Sequence, residues 1–306
     1  MNSKSMEKKN NLIGSIMLTV CAIIWGSSFV AQTTGAEYVG PFTFISLRSL
    51  LGSVSLLPVI AVMSAVRKKK GEELNENRKG AKFFILGGIA CGVCLTFASV
   101  LQQLGIDKGT SPGKAGFITA FYILLVPIFS IALKKKIRPV IWFCVALSLG
   151  GLYLLCVTEN SIQPSDFYVL LCAACYAVHI LIIDHVSPYV DGVKLSCMQF
   201  FVCGIIAAVP MLLTEELSLE LLKGAALSIA YSGIMSSGVA YTLQILGQQR
   251  MNQPTVASML MSLESVFAVL SGMIVLSQVP SLKETAGCIL MFAAIIIAQL
   301  PEKKSN

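Results

Sequence analysis

Charge is scarce in this chain. Asp, Glu, Lys and Arg make up 13% of its 306 residues, against 55% hydrophobic residues and a mean hydropathy of +0.77. An ordinary soluble domain is about 25% charged, so this composition cannot cover a water-facing surface. Histidine is almost missing, with only His179 and His185. There is no His-Glu-x-x-His pair to hold zinc and no Gly-x-x-x-x-Gly-Lys-Ser/Thr loop to cradle ATP phosphates. These gaps argue against metallohydrolase and primary-pump chemistry, and an intramembrane enzyme finds no support. No catalytic residue, metal site or cofactor is expected.

What the chain has instead is long apolar runs. About 20 apolar residues span the hydrocarbon core as a helix, and ten such stretches can be marked, near 12–31, 42–65, 83–102, 113–133, 139–157, 166–186, 195–213, 224–246, 254–277 and 284–300. The links between them are mostly short and polar, leaving no room for a separate soluble domain. The expected fold class is an all-α polytopic membrane protein with ten transmembrane helices. Span 1 follows a basic start but is longer than a signal-peptide core and lacks a clear small-x-small cleavage site, so it is expected to be retained.

The net charge of +7 follows topology rather than a nucleic-acid partner. Lys4, Lys8 and Lys9 precede span 1, seven basic residues lie from Arg67 to Lys82, and Lys134, Lys135, Lys136 and Arg138 separate spans 4 and 5. Placing these in the cytoplasm, with Lys194, Arg250, Lys303 and Lys304, puts 18 of the 23 basic residues there and four (Lys108, Lys114, Lys223 and Lys283) on the other side. That is the positive-inside pattern, with both termini cytoplasmic.

The chain also matches itself. Leu101-Gln102-x-Leu104-Gly105 returns as Leu243-Gln244-x-Leu246-Gly247, with Pro112 opposite Pro254 and Ala115 opposite Ala257. Cys21-Ala22-x-x-Trp25 is echoed by Cys172-Ala173-x-x-Tyr176. Five spans per copy is an odd number, so the second copy enters the membrane from the opposite face. The expected domains are two inverted five-helix repeats, 11–158 and 165–302, with a substrate site at their interface.

Other features invite bland readings. Cys91-x-x-Cys94 and Cys172-x-x-Cys175 look like redox or metal motifs, but thiolates are disfavoured in hydrocarbon, and small apolar packing is the better reading. Gly88-x-x-x-Gly92, Gly116-x-x-x-Ala120 and Gly233-x-x-x-Ser237 would let helices approach closely. Thr255, Ser258, Ser262 and Ser265 form a polar stripe on span 9, suited to packing or to a wetted cavity. Pro127 is expected to kink span 4.

The candidate site residues are the polar groups inside spans. Glu264 lies near the middle of span 9, where a carboxyl must be protonated, paired or wetted. It serves either function or a structural hydrogen bond. Tyr122 stands opposite it in the repeat. Arg48 either faces a cavity, where it would attract an anionic group such as a carboxylate, or snorkels to the surface. Gln102 and Gln244 bind substrate or tie spans together. Trp25 and Tyr176 line a cavity or simply pack. His179 carries protons or satisfies a helix–helix hydrogen bond.

Trp25-Gly26-Ser27-Ser28-Phe29, Leu47-Arg48, the stretch from Leu104 through Ile118, and Ser262-Leu263-Glu264-Ser265-Val266-Phe267 together resemble the EamA family of the drug/metabolite transporter superfamily. The resemblance covers nearly the whole chain, one repeat per half, and implies a ten-helix, basket-shaped carrier. It also implies export of a small organic metabolite such as an amino acid. Where that family often has proline after the span 9 glutamate, this chain has Ser265. The function expected is secondary transport by alternating access across a plasma membrane, with a small-molecule substrate and the lipid bilayer as partners, no nucleic acid, and a homodimer left open. The rival readings are a channel, or a non-transporting receptor or scaffold.

Overall fold

A computed structural model describes residues 3–70, 79–110, 112–156, 163–251, 253–276 and 281–300. Among the described residues the structure is helical throughout, without strands. In hydrocarbon every backbone N–H and C=O must be satisfied within the protein, which a helix does locally. The described part of each of the ten apolar stretches accordingly lies mainly on helix.

The helices run α1 (Ser3–Ala36), α2 (Pro41–Lys70), α3 (Ala81–Asp107), α4 (Pro112–Thr119), α5 (Tyr122–Ala132), α6 (Pro139–Cys156), α7 (Pro164–Val186), α8 (Gly192–Thr214) and α9 (Leu219–Tyr231). A π-helical stretch, Ser232–Ala240, leads into α10 (Tyr241–Met251), followed by α11 (Pro254–Met261), α12 (Glu264–Leu276) and α13 (Leu282–Gln299). Among the described residues six helical stretches, Met6–Ala36, Pro41–Lys69, Ala81–Asp107, Lys114–Ala132, Pro164–Tyr189 and Gly192–Thr214, are long and apolar enough to cross a membrane by length and composition.

The molecule is apolar outside and polar within. Leu227 is 82% exposed and Leu213 78%, whereas Gln103, His179 and Gln199 are wholly buried. Water would penalise that surface, and a bilayer would not. Inside, α2 packs on α8, α6 on α13, α3 on α7 and α1 on α10. The largest apolar cluster, including Leu18, Ile123, Leu152, Met259 and Met291, surrounds the junctions of α4 with α5 and of α11 with α12.

Helix ends are capped where their orphan donors need partners. Glu215, just after α8, reaches across the fold to accept from Phe42 N at 2.9 Å and Thr43 N at 2.6 Å, capping α2. Asp191 accepts from Val193 N and Lys194 N at the start of α8 and pairs with Arg67 at 2.5 Å. Lys135 pairs with Asp184, and Lys114 with Asp166 at 2.5 Å.

Two spans are broken rather than continuous. Between α4 and α5, Phe121 N bonds Ile118 O and Ile123 N bonds Ala120 O; between α11 and α12, Leu263 N bonds Leu260 O and Ser265 N bonds Ser262 O. These i→i−3 bonds tighten the chain into 3₁₀ geometry at each junction. The span that holds Pro127 is interrupted at Ala120–Phe121, six residues before the proline, and α5 continues through Pro127. The break before Glu264 forms without the proline that the family often carries. The Ser262 hydroxyl there bonds Met259 O at 2.7 Å, competing with the helix ladder.

Candidate functional site

The breaks place the reactive groups. Glu264 is the first residue of α12 and Tyr122 the first of α5, and the Tyr122 hydroxyl donates to Glu264 Oε1 at 3.1 Å. Glu264 is only 5% exposed. Tyr241, Cys21 and Cys172 also lie within electrostatic reach of it. Helix α1 crosses the second break at Gly26. A Cβ there would sit 2.6 Å from the Glu264 carbonyl oxygen and 2.7 Å from Ala268 N, both backbone atoms, so only glycine permits this approach.

Around these groups lies a polar cavity enclosing about 470 Å³ of empty space, part of it open to the surroundings. That space is large enough to admit water. Its walls come from α1, α2, α3, α4, α5, α7, the π-helical stretch, α10, α11 and α12.

Seven of the expected residues line it together: Trp25, Arg48, Gln102, Tyr122, Tyr176, Gln244 and Glu264. Gln102 Nε2 donates to Thr119 Oγ1 at 3.0 Å. The Trp25 ring lies 4.6 Å from that of Tyr241, whose hydroxyl donates to Tyr176 at 3.3 Å. Trp25 Nε1 and Gln244 Oε1 have no partner. Arg48 does not snorkel: it is 3% exposed and faces this interior space. His179 is not part of the lining. It sits behind Tyr241, with Nε2 3.0 Å from Gln199 Oε1.

Several lining residues were not expected. Tyr241 is three residues before Gln244 on α10, hence on the same helical face, and could have been inferred. Ser28 and Gln32 follow Trp25 on α1 at the same kind of spacing. Ser236 projects from the π-helical stretch, whose widened backbone no local residue pattern announces.

The Thr255–Ser265 stripe does not wet the cavity. Ser258 and Ser262 bond carbonyls within α11, and Ser265 bonds Gly116 O at 3.5 Å. The described cysteines are free thiols. No metal-ligand cluster occurs among the described residues. A Gly-x-Ser-x-Gly spelling occurs from Gly109 to Gly113, but it joins helix to helix, whereas a nucleophile elbow needs a strand-to-helix turn.

Comparison with known proteins agrees with this architecture. The model of the EamA-like transporter family matches residues 12–157 and 163–299. An uncharacterized transporter of Archaeoglobus fulgidus is 26% identical over 297 residues, 96% of this chain and 88% of that protein. The uncharacterized transporter YwfM of Bacillus subtilis is 23% identical over 303 residues, 96% of each chain. A solved crystal structure shares the fold with a TM-score of 0.72 at 18% identity, covering 95% of this chain and 96% of its own.

Proposed function

This multi-pass membrane protein belongs to the EamA-like transporter family of the drug/metabolite transporter superfamily, and from that premise we propose that it is a secondary carrier exporting a small organic metabolite by alternating access. An amino acid is the type of substrate that the family resemblance favours. In this reading the ten spans form two inverted repeats, 11–158 and 165–302, in a plasma membrane, with both termini cytoplasmic as the lysines and arginines favour.

The observation that carries the proposal is the polar cavity at the crossing of the two broken helices, lined from both halves of the chain. A carrier needs a central site whose access changes sides, and rocking of one half against the other supplies that motion. Glu264 is the group there able to take up and release a proton in the cycle, bonded to Tyr122 rather than to a cation.

Accessibility of the cavity tests this. Ser236→Cys places a thiol in the lining, to be labelled with an impermeant maleimide in right-side-out and inverted vesicles against the parent protein as background. Reaction from both faces is expected. Reaction from one face alone contradicts alternating access.

A further inference from the structure

The cavity holds a cation that no carboxylate among the described residues pairs with. Arg48 is 3% exposed, and its Nε and Nη1 have no hydrogen-bond partner. Its Cζ sits 5.8 Å from the centre of the Phe44 ring, and Tyr176, Tyr241 and Cys203 are the titratable groups in electrostatic reach. The ion pairs of the described residues join Arg67, Lys114 and Lys135 to other carboxylates, and Glu264, in the same cavity, is not paired with Arg48.

A guanidinium cannot lose its proton to escape burial, and an uncompensated buried charge works against folding. Such a group persists where a ligand completes it. The planar fork matches two anionic oxygens. Among the described residues of the lining Arg48 is the only Lys or Arg, so these residues balance one negative charge and not two. Unpartnered amide oxygens of Gln32 and Gln244 face the same space and would accept from donors elsewhere on the bound molecule.

We infer that Arg48 is the anchor for a carboxylate on the transported molecule, so that the substrates are small monocarboxylates carrying hydrogen-bond donors. This rests on the carrier reading of the same cavity. A phosphate monoester offers similar oxygens but brings a second charge that the lining does not neutralise.

The test measures binding separately from transport. In Trp142→Phe, whose indole lies on α6 away from the cavity, Trp25 is left as the cavity's own fluorophore. The purified variant is titrated with acetate, lactate, benzoate and phenylalanine, with the primary amide of each, and with inorganic phosphate. At least one carboxylate should bind about tenfold or more tightly than its amide, as a charge-assisted pair requires. Arg48→Gln should reduce that ratio to about one while the amide binds as before, and Arg48→Lys should restore part of it. The inference is overturned if no carboxylate is preferred over its amide, if the preference survives Arg48→Gln, or if phosphate binds best. Exchange of labelled metabolites by the parent protein in liposomes is scored independently. Exchange restricted to amines or neutral molecules removes the anchor and leaves the carrier. Carboxylate binding without any exchange leaves the anchor and removes the carrier.

Discussion

The two broken helices share their landmarks. One starts at Pro112, stops at Thr119 and resumes at Tyr122; the other starts at Pro254, stops at Met261 and resumes at Glu264. Every position differs by 142 residues, the separation of the Tyr122–Glu264 hydrogen bond itself. Corresponding residues thus meet where the breaks cross, yet one is a phenol and the other a carboxyl. A second correspondence behaves the same way. The offset that sets Trp25 opposite Tyr176 sets Gly26 opposite Ala177, Ser28 opposite His179 and Arg48 opposite Gln199. In the later half His179 and Gln199 bond each other, whereas in the earlier half Ser28 Oγ and two Arg48 nitrogens have no partner and line the cavity. Backbone landmarks correspond while the side-chain chemistry differs: the cation of the cavity comes from the earlier half and its carboxyl from the later one.

The largest test of that asymmetry is steric. Gly26→Ala drives a methyl against the backbone of α12 and should cost about 3 kcal/mol, read as a drop in melting temperature and folded yield in detergent. Ala177→Gly, at the corresponding place, should cost only about 1 kcal/mol. Equal costs would break the comparison.

Next come the polar pairs. Gln199→Leu leaves His179 without its partner and should cost about 1–3 kcal/mol. Arg48→Met removes an unpaired buried charge and should be neutral or stabilising by about 1–4 kcal/mol. Thermal unfolding of the ligand-free variants reads both, and a destabilised Arg48→Met would place an unseen partner beside the guanidinium.

At the crossing of the breaks, Tyr122→Phe should lower stability by about 1 kcal/mol through the lost hydrogen bond and leave transport pH-dependent. Glu264→Gln keeps size and hydrogen bonding but cannot titrate. It should flatten the pH profile of transport per folded molecule while exchange of substrate continues. An unchanged profile would remove the proton role and leave Glu264 as a packing group.

The smallest effect is expected at Ser265. The break is already formed, and the second residue of a helix tolerates proline. Ser265→Pro forfeits the Ser265 N bond to Ser262 O and the long Ser265 Oγ bond to Gly116 O, and should change stability by about 1 kcal/mol. A large loss would mean that the serine itself holds the junction.

Much of this arrangement is legible in the residues because apolar runs and in-span polar groups follow from the solvent. The helical stretches are readable from length and hydropathy, and seven of the eight cavity candidates converge because polar groups inside spans have few places to go. The breaks are harder to see. Ala120–Phe121 and Ser262–Leu263 contain neither glycine nor proline, and the tightening depends on packing of the crossing helices. The same holds for the π-helical Ser232–Ala240 stretch. Depth along a span did not separate a snorkelling Arg48 from a buried one, since that depends on which face of α2 meets the interior. Likewise the Glu215 cap on α2 joins residues 173 apart, a distance at which local patterns are silent.

The central claim is that a cavity shared by the two halves moves substrate as a carrier. Counterflow tests it most directly. Proteoliposomes loaded with unlabelled cell metabolites are diluted into a trace of the same extract carrying ¹³C, and the lumen is followed by mass spectrometry. The account predicts that at least one labelled metabolite transiently accumulates above its external level, driven by exit of its unlabelled counterpart. Equilibration without overshoot would make the protein a channel, and absence of protein-dependent entry would contradict transport altogether.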